Sequence, residues 1–219
     1  MTESALGAAA GGTRPDRALL RNRRGIRSED WSHDWPEPKA GTAGGMFFAQ
    51  QRIQALVRRD PSDITAILDL PPGLDEAVWQ YEQLRQVCLE LNGLFVALED
   101  ECTRETCEDM RVSDWAYMCA AHTSPQPCSA IDYFCHNLDC STALLNSSMF
   151  PSREMVPEGS MKHLHNVARR LYRVFAHACW KHKATFLEFE AATHLYERFL
   201  ELSTKRYSMI SETLIVVTP

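Results

Sequence analysis

Val78, Tyr81, Leu84, Cys88, Leu91, Phe95 and Leu98 recur at intervals of three or four residues, the spacing that lines side chains along one face of an α-helix. The run predicts a helix over about residues 75–99. Gly93 lies inside it and costs about 1 kcal/mol relative to alanine, which burial on two sides would offset. Leu164, Val167, Leu171, Phe175 and Ala178 share one face of a second long helix, expected over 160–181 with Ser160 as its cap. Shorter signals surround these two. Asp60-Pro61 with Asp63 opens a short helix that Pro71-Pro72-Gly73 ends. Ser129, three residues before Asp132, resembles a capping box and starts a helix to about Leu145. Residues 149–159 read as loop, and a further helix is expected from 184 to about 206. The β-branched tail, Leu214 to Val217, is expected to pair or pack as a short strand. The fold class is therefore mostly α.

At 219 residues, 45% of them hydrophobic, the chain can bury one sizeable core. Residues 1–45 differ from the rest. They are rich in Ala, Gly and Pro, and within residues 13–28 Arg14, Arg17, Arg21, Arg23, Arg24 and Arg27 face one acid, Asp16. Such a stretch buries too little apolar area to offset its ordering entropy and reads as a flexible, Arg-rich arm; Trp31 and Trp35 would pack its end back on the domain at 46–219. A formal net charge of -6 argues against nucleic acid as a partner. No apolar stretch reaches the ~20 residues that a membrane span needs, and the start shows no signal-peptide pattern. Eight cysteines in such a chain read as thiols or metal ligands of a reducing, cytoplasmic setting.

Cys102-x4-Cys107 falls in an acidic loop at 99–109, and His177-x4-His182 falls at the end of a helix. Two thiolates and two imidazoles make a closed tetrahedral shell for zinc. The 69 residues between Cys107 and His177 exclude a small classical finger, so such a site would staple the loop to a late helix. The competing reading is that the cysteines are small buried hydrophobes and the histidines end a helix. Cys119-x2-His122 is a rival pair that spacing does not dismiss. One constraint is geometric: residues five apart on a regular helix differ by ~140° in azimuth. For His177 and His182 to face one metal, the helix must unwind between them or widen into a π-like turn.

On the 160–181 helix, Lys162, Arg169, Arg170 and Arg173 lie opposite the apolar face, with no acid between 160 and 181. Crowded cations repel one another, and guanidinium forks suit a phosphate group. A solvated face, or acids arriving from the 99–109 loop, is the bland alternative.

The run PPGLDEAVWQYEQLRQVCLELNG at 71–93, CTRETC at 102–107, CAAHTSPQPCSAIDY at 119–133, LLNSS at 144–148 and RRLYRVFAHACWKH at 169–182 resemble the Mob family over about residues 19–217. LRNRRG at 20–25, WPE at 35–37 and CLELNG at 88–93 look like its phocein branch. The resemblance implies a Mob-type domain built on a four-helix core, with one structural zinc held by Cys102, Cys107, His177 and His182. Arg169, Arg170 and Arg173 match the basic cluster with which the family's kinase activators bind phosphothreonine peptides, although the activators carry Lys at the position of Arg169. It further implies a non-catalytic adaptor working with a striatin-like scaffold, a Ste20-type kinase and phosphatase subunits. Such assemblies lie in the cytoplasm, at Golgi and endocytic membranes. Co-activation of a Hippo/NDR-class kinase is the alternative within the family. An enzyme is disfavoured by a closed metal shell and by the lack of HExxH, P-loop or GxGxxG motifs; Cys119 with His122 is the nucleophile pair such a reading would need.

Overall fold

In a computed structural model, residues 46–217 and Arg27 are described; the remainder of the expected arm, with Trp31 and Trp35, lies outside the described residues. The element order is α1 (Phe48–Arg59), α2 (Ile64–Leu68), α3 (Glu76–Leu98), the two-residue strands β1 (Arg111–Val112) and β2 (Trp115–Ala116), α4 (Ala130–Leu145), α5 (Met161–Lys181), α6 (Lys183–Thr193) and α7 (Leu195–Leu200). The last passes directly into a π-helical stretch, Glu201–Arg206. The strands form one antiparallel ladder with Val112 opposite Trp115. This is a mostly helical fold.

Helix α3 is the axis, packing against α1, α4, α5 and α6. Its apolar positions Val78, Tyr81, Leu84, Cys88, Leu91 and Leu98 are buried, as the period requires. Polar groups on α3 fix its neighbours as firmly as the apolar ones do. The Trp79 indole N–H donates to the Leu68 carbonyl at 3.0 Å, Gln83 Nε2 to the Ile67 carbonyl at 2.7 Å, and the Tyr81 hydroxyl to the Leu145 carbonyl at 2.7 Å. These bonds satisfy C-terminal carbonyls that α2 and α4 leave orphaned. Gly93 has a steric reason: a Cβ there would stand 3.3 Å from Phe189 Cε2 on α6. The glycine lets α6 lie close, on one side only.

Caps explain most element boundaries. Asp75 Oδ1 accepts from Val78 N at 2.9 Å and opens α3, and Ser129 Oγ accepts from Asp132 N at 3.2 Å and opens α4. Four expectations need correction. The short helix starts at Asp63, whose Oδ1 accepts from Ala66 N, because Asp60 turns its carboxylate to Ser62 instead. Ser160 does not cap α5; its hydroxyl donates to the Met149 carbonyl at 2.6 Å and ties the preceding loop. The helix expected over 184–206 is interrupted at His194, which has φ +47. Finally, no strand forms over Leu214 to Val217; Ile215 and Val217 pack on the core while Leu214 and Val216 are exposed. Tyr172 Oη accepts from Val216 N at 2.6 Å, and Tyr196 Oη donates to the Val217 carbonyl at 2.5 Å.

Candidate metal centre

The loop after α3 is shaped by its own hydroxyls. Cys102 N donates to the last turn of α3 at Leu98 O, and Cys107 N to Thr103 O, while Thr106 Oγ1 donates to the Glu101 carbonyl at 2.7 Å. Both thiols consequently face inward, and both are buried. Opposite them, α5 presents His177 from its last turn and ends at Lys181. His182 has left the helix at φ -122, ψ 50 and opens α6. The required irregularity is therefore an unwinding at His182, and the π-helical stretch lies elsewhere. His177 and His182 come to a ring-centroid distance of 5.5 Å.

The four side chains converge. Cys102 Sγ is 3.6 Å from His177 Nε2, Cys107 Sγ is 3.4 Å from His182 Nε2, and the four ligand atoms all lie within 4.8 Å of one another. Tetrahedral zinc with Zn–S near 2.3 Å and Zn–N near 2.0–2.1 Å would set S···N edges at about 3.6 Å. The far ring nitrogens are also engaged. His177 Nδ1 lies 2.6 Å from the Arg111 carbonyl oxygen, and His182 Nδ1 lies 3.4 Å from Glu101 Oε2, the partners that orient metal-binding imidazoles. Burial pushes the Cys102 thiol up to about 12 and the His177 imidazole down to about 4. The imidazole is thus neutral, the form that ligates, while a thiolate at Cys102 needs a cation at the centre to offset its desolvation. The donor set, its geometry and its outer hydrogen bonds fit a metal ion.

Cys119 and His122 do not join this cluster. They stand against Cys128 and His136, their ligand atoms again within 4.8 Å of one another. All eight cysteines are free thiols.

The apolar face of α5 is buried as expected, at Leu164, Val167, Leu171, Phe175 and Ala178. On its other side Arg169, Arg170 and Arg173 are half-buried, and among the described residues none makes an ion pair. Among the described residues no acid of 99–109 pairs with these arginines; Asp109 pairs with Arg111, and Glu101 meets His182 and Thr185. Arg173 is oriented by aromatic groups, its Nη1 donating to Tyr133 Oη at 3.1 Å and its guanidinium lying 4.8 Å from the Tyr117 ring centre. Arg169 Nη2 donates to Asn166 Oδ1. Arg170 and Arg173 line a cleft with Tyr133, His136 and Asn137. Three guanidinium groups on one helical face, without ion pairs among the described residues, leave donors for an anion.

The description "Mob1/phocein family" fits a family model that matches residues 56–217. The chain belongs to this family. It is 47% identical to "MOB kinase activator-like 4" of Drosophila melanogaster over 200 residues, covering 90% of this chain and 89% of that one. It is 43% identical to "MOB-like protein phocein" of Caenorhabditis elegans over 203 residues, covering 92% and 91%. The more distant "DBF2 kinase activator protein MOB1" of Saccharomyces cerevisiae is 27% identical over 177 residues, covering 77% of this chain and 56% of that protein. The Mob assignment accounts for the helical fold around α3. No helix among the described residues is long and apolar enough to cross a membrane.

Proposed function

We propose that this Mob protein is a non-catalytic adaptor that holds kinase and phosphatase subunits together on a striatin-like scaffold. The domain at 46–219 would be its binding body and residues 1–45 an Arg-rich arm. Cys102, Cys107, His177 and His182 would hold one zinc ion, whose binding contributes folding energy at the junction of the 99–109 loop with α5 and α6. Four protein ligands close zinc's tetrahedral shell and leave no position for a catalytic water, which supports an adaptor over a metal-dependent hydrolase.

The observation that carries the reading is the set Arg169, Arg170 and Arg173, free of ion pairs among the described residues on a rigid helix. A phosphorylated peptide from a partner supplies the dianion that such a set accommodates through bidentate, charge-assisted bonds. The work would be done in the cytoplasm, including peripheral sites at Golgi and endocytic membranes, where Ste20-type kinases and phosphatases meet. A second reading, co-activation of an NDR-class kinase, draws on the names of two relatives, the yeast one called a kinase activator and the Drosophila one kinase activator-like.

Affinity purification of the tagged full chain from its native cells separates the two. Co-purification of a striatin-like scaffold with phosphatase subunits supports the adaptor, whereas a lone Hippo-type kinase moves the assignment to the activator reading.

A further inference from the structure

The segment between β2 and α4 has almost nothing of its own to hold it. Residues 120–127, AAHTSPQP, are small or polar, and all but His122 are exposed. Cys119 and Gln126 pair through reciprocal backbone bonds of 2.8 and 3.2 Å, and Met110 N donates to the Cys128 carbonyl at 3.0 Å. A strap lacking apolar anchors folds to one place only if something else fixes it. At its foot four side chains of a second kind of chemistry converge.

His122 Nε2 is 3.0 Å from Cys128 Sγ, while His136 Nδ1 is 3.5 Å from Cys119 Sγ and 3.8 Å from Cys128 Sγ. The two imidazoles meet edge to face at a centroid distance of 4.9 Å. The pairing of Cys119 with Gln126 brings Cys119 back beside Cys128, which immediately precedes the α4 cap Ser129. His136 then projects from α4 itself. Each ligand therefore comes from an element already fixed, except His122, which sits in the strap.

We propose that Cys119, His122, Cys128 and His136 form a second, structural metal centre that binds a zinc-class divalent cation and clamps residues 119–128 onto α4. Two of the three S···N distances lie near the ~3.6 Å edge of a tetrahedral zinc shell. The third is shorter, so the His122 ring would withdraw by about half an ångström. Hydrogen bonding alone would satisfy one thiol per imidazole; here one imidazole nitrogen lies within reach of both sulfurs, and all four ligand atoms face a common centre. The ligands are interleaved with the first centre. Ala130 N donates to the Cys107 carbonyl at 2.9 Å, and Arg104 pairs with Asp132 at 2.8 Å. Metal at the second centre also fixes one wall of the basic cleft, since Cys119 and His136 line it beside Arg170 and Arg173. Two thiolates cancel the ion's charge, so the clamp shapes that cleft without adding a net cation.

The full chain, purified without chelator, is assayed for zinc by elemental mass spectrometry. We expect two equivalents for the wild type, one for Cys119→Ser/Cys128→Ser and one for Cys107→Ala. Each loss reports on a different centre, so either centre can fail alone. A wild-type zinc content that the Cys119→Ser/Cys128→Ser variant leaves unchanged overturns the proposal. A readout without variants is timed alkylation of the wild type. Cys119 and Cys128 should be shielded until chelator is added, with exposed Cys135 as the reactive control and core Cys88 reporting any global unfolding. Equal labelling of Cys119 and Cys128 before and after chelation overturns it.

Discussion

Nδ1 of His177 lies 2.6 Å from the carbonyl oxygen of Arg111, so the first residue of the small ladder decides which ring nitrogen of His177 faces Cys102. An N–H at Nδ1 donating to that carbonyl leaves Nε2 as the acceptor, the tautomer that ligates. The hairpin is thus part of the centre although it supplies no ligand. This arrangement makes the centre a joint between α3, the hairpin and α5, and its removal should be felt across the domain. Cys107→Ala or His182→Ala should lower stability by at least about 3 kcal/mol, a melting-temperature drop of roughly 6–12 °C for a domain this size. Thermal unfolding followed by circular dichroism measures it. A shift under about 2 °C would mean that the four residues are packed hydrophobes and histidines without a metal.

Glu101 offers a gentler perturbation. Its Oε2 lies 3.4 Å from His182 Nδ1, and its Oε1 accepts from the Thr185 hydroxyl at 2.6 Å. Glu101→Gln keeps the shape and removes the charge, so the fold should persist while metal affinity falls by about tenfold or more. Competition with a graded series of chelators gives the ratio. Unchanged retention would show that Glu101 only caps α6 through Thr185.

The pair of buried Arg198 and half-buried Glu90 joins α7 to the middle of α3 at 2.6 Å, with the Arg198 side chain 1% exposed. Glu90 also accepts from Gln86 Nε2. Glu90→Gln strands the guanidinium in the core, for which about 3–5 kcal/mol of destabilisation is expected. A urea midpoint shifted by that amount at unchanged slope is the expected result. The wild-type midpoint would mean that water reaches Arg198.

Much of this was legible in the sequence for local reasons, and the failures are non-local. The α3 and α5 faces follow from periodicity because their burial repeats every turn. The break at His194 left no such mark. Glu190, near the end of α6, turns its carboxylate to the backbone N–H groups of Tyr196 and Glu197 at 2.8 and 2.9 Å, so one helix caps the next across a left-handed residue. Spacing showed that Cys102, Cys107, His177 and His182 could share a metal and that the helix must be irregular between the histidines. It could not choose unwinding over widening, which depends on where α6 packs. Cys119 and His122 were visible as a pair, yet their companions were missed. Cys128 was available in the same segment, but His136 reads as one more residue of α4 until the fold brings the strap against it.

A pH response follows from Asp132. The Arg104 guanidinium first, and the Ser129 hydroxyl second, hold its carboxyl below the usual carboxylate range. With a folded value below the unfolded one, the unfolded chain binds more protons in between. The stabilisation is therefore complete above the ordinary carboxylate pKa and is lost as pH falls through the folded value. Arg104 is solvent-exposed and Asp132 partly so, so the effect should be small and should weaken with salt. Asp132→Asn should flatten the acid limb of a stability–pH profile at low ionic strength and leave neutral stability slightly reduced. An identical acid limb in the two proteins would show that the loop at 102–107 does not depend on this contact.

The basic cleft makes the sharpest functional prediction. Arg173 is held by Tyr133 and Tyr117, and Arg169 by Asn166, so part of the side-chain entropy that ligand binding would cost is already spent on folding. Among the described residues Arg170 meets no carboxylate, and it stands between them on the helix, with its carbonyl anchored by Asn137 Nδ2 at 2.9 Å. A phosphothreonine peptide should bind at least tenfold more tightly than its unphosphorylated control, equivalent to about 1.4 kcal/mol. Arg170→Ala should remove most of that difference, because each charge-assisted bond is worth roughly 1.5–3 kcal/mol. Arg170→Lys should recover only part, since an ammonium cannot fork onto two phosphate oxygens. Titration of the three proteins with both peptides, by calorimetry or fluorescence anisotropy, gives the constants. A phosphorylation gain under tenfold that Arg170→Ala leaves untouched would mean that the arginines are only a solvated, aromatic-braced face of α5.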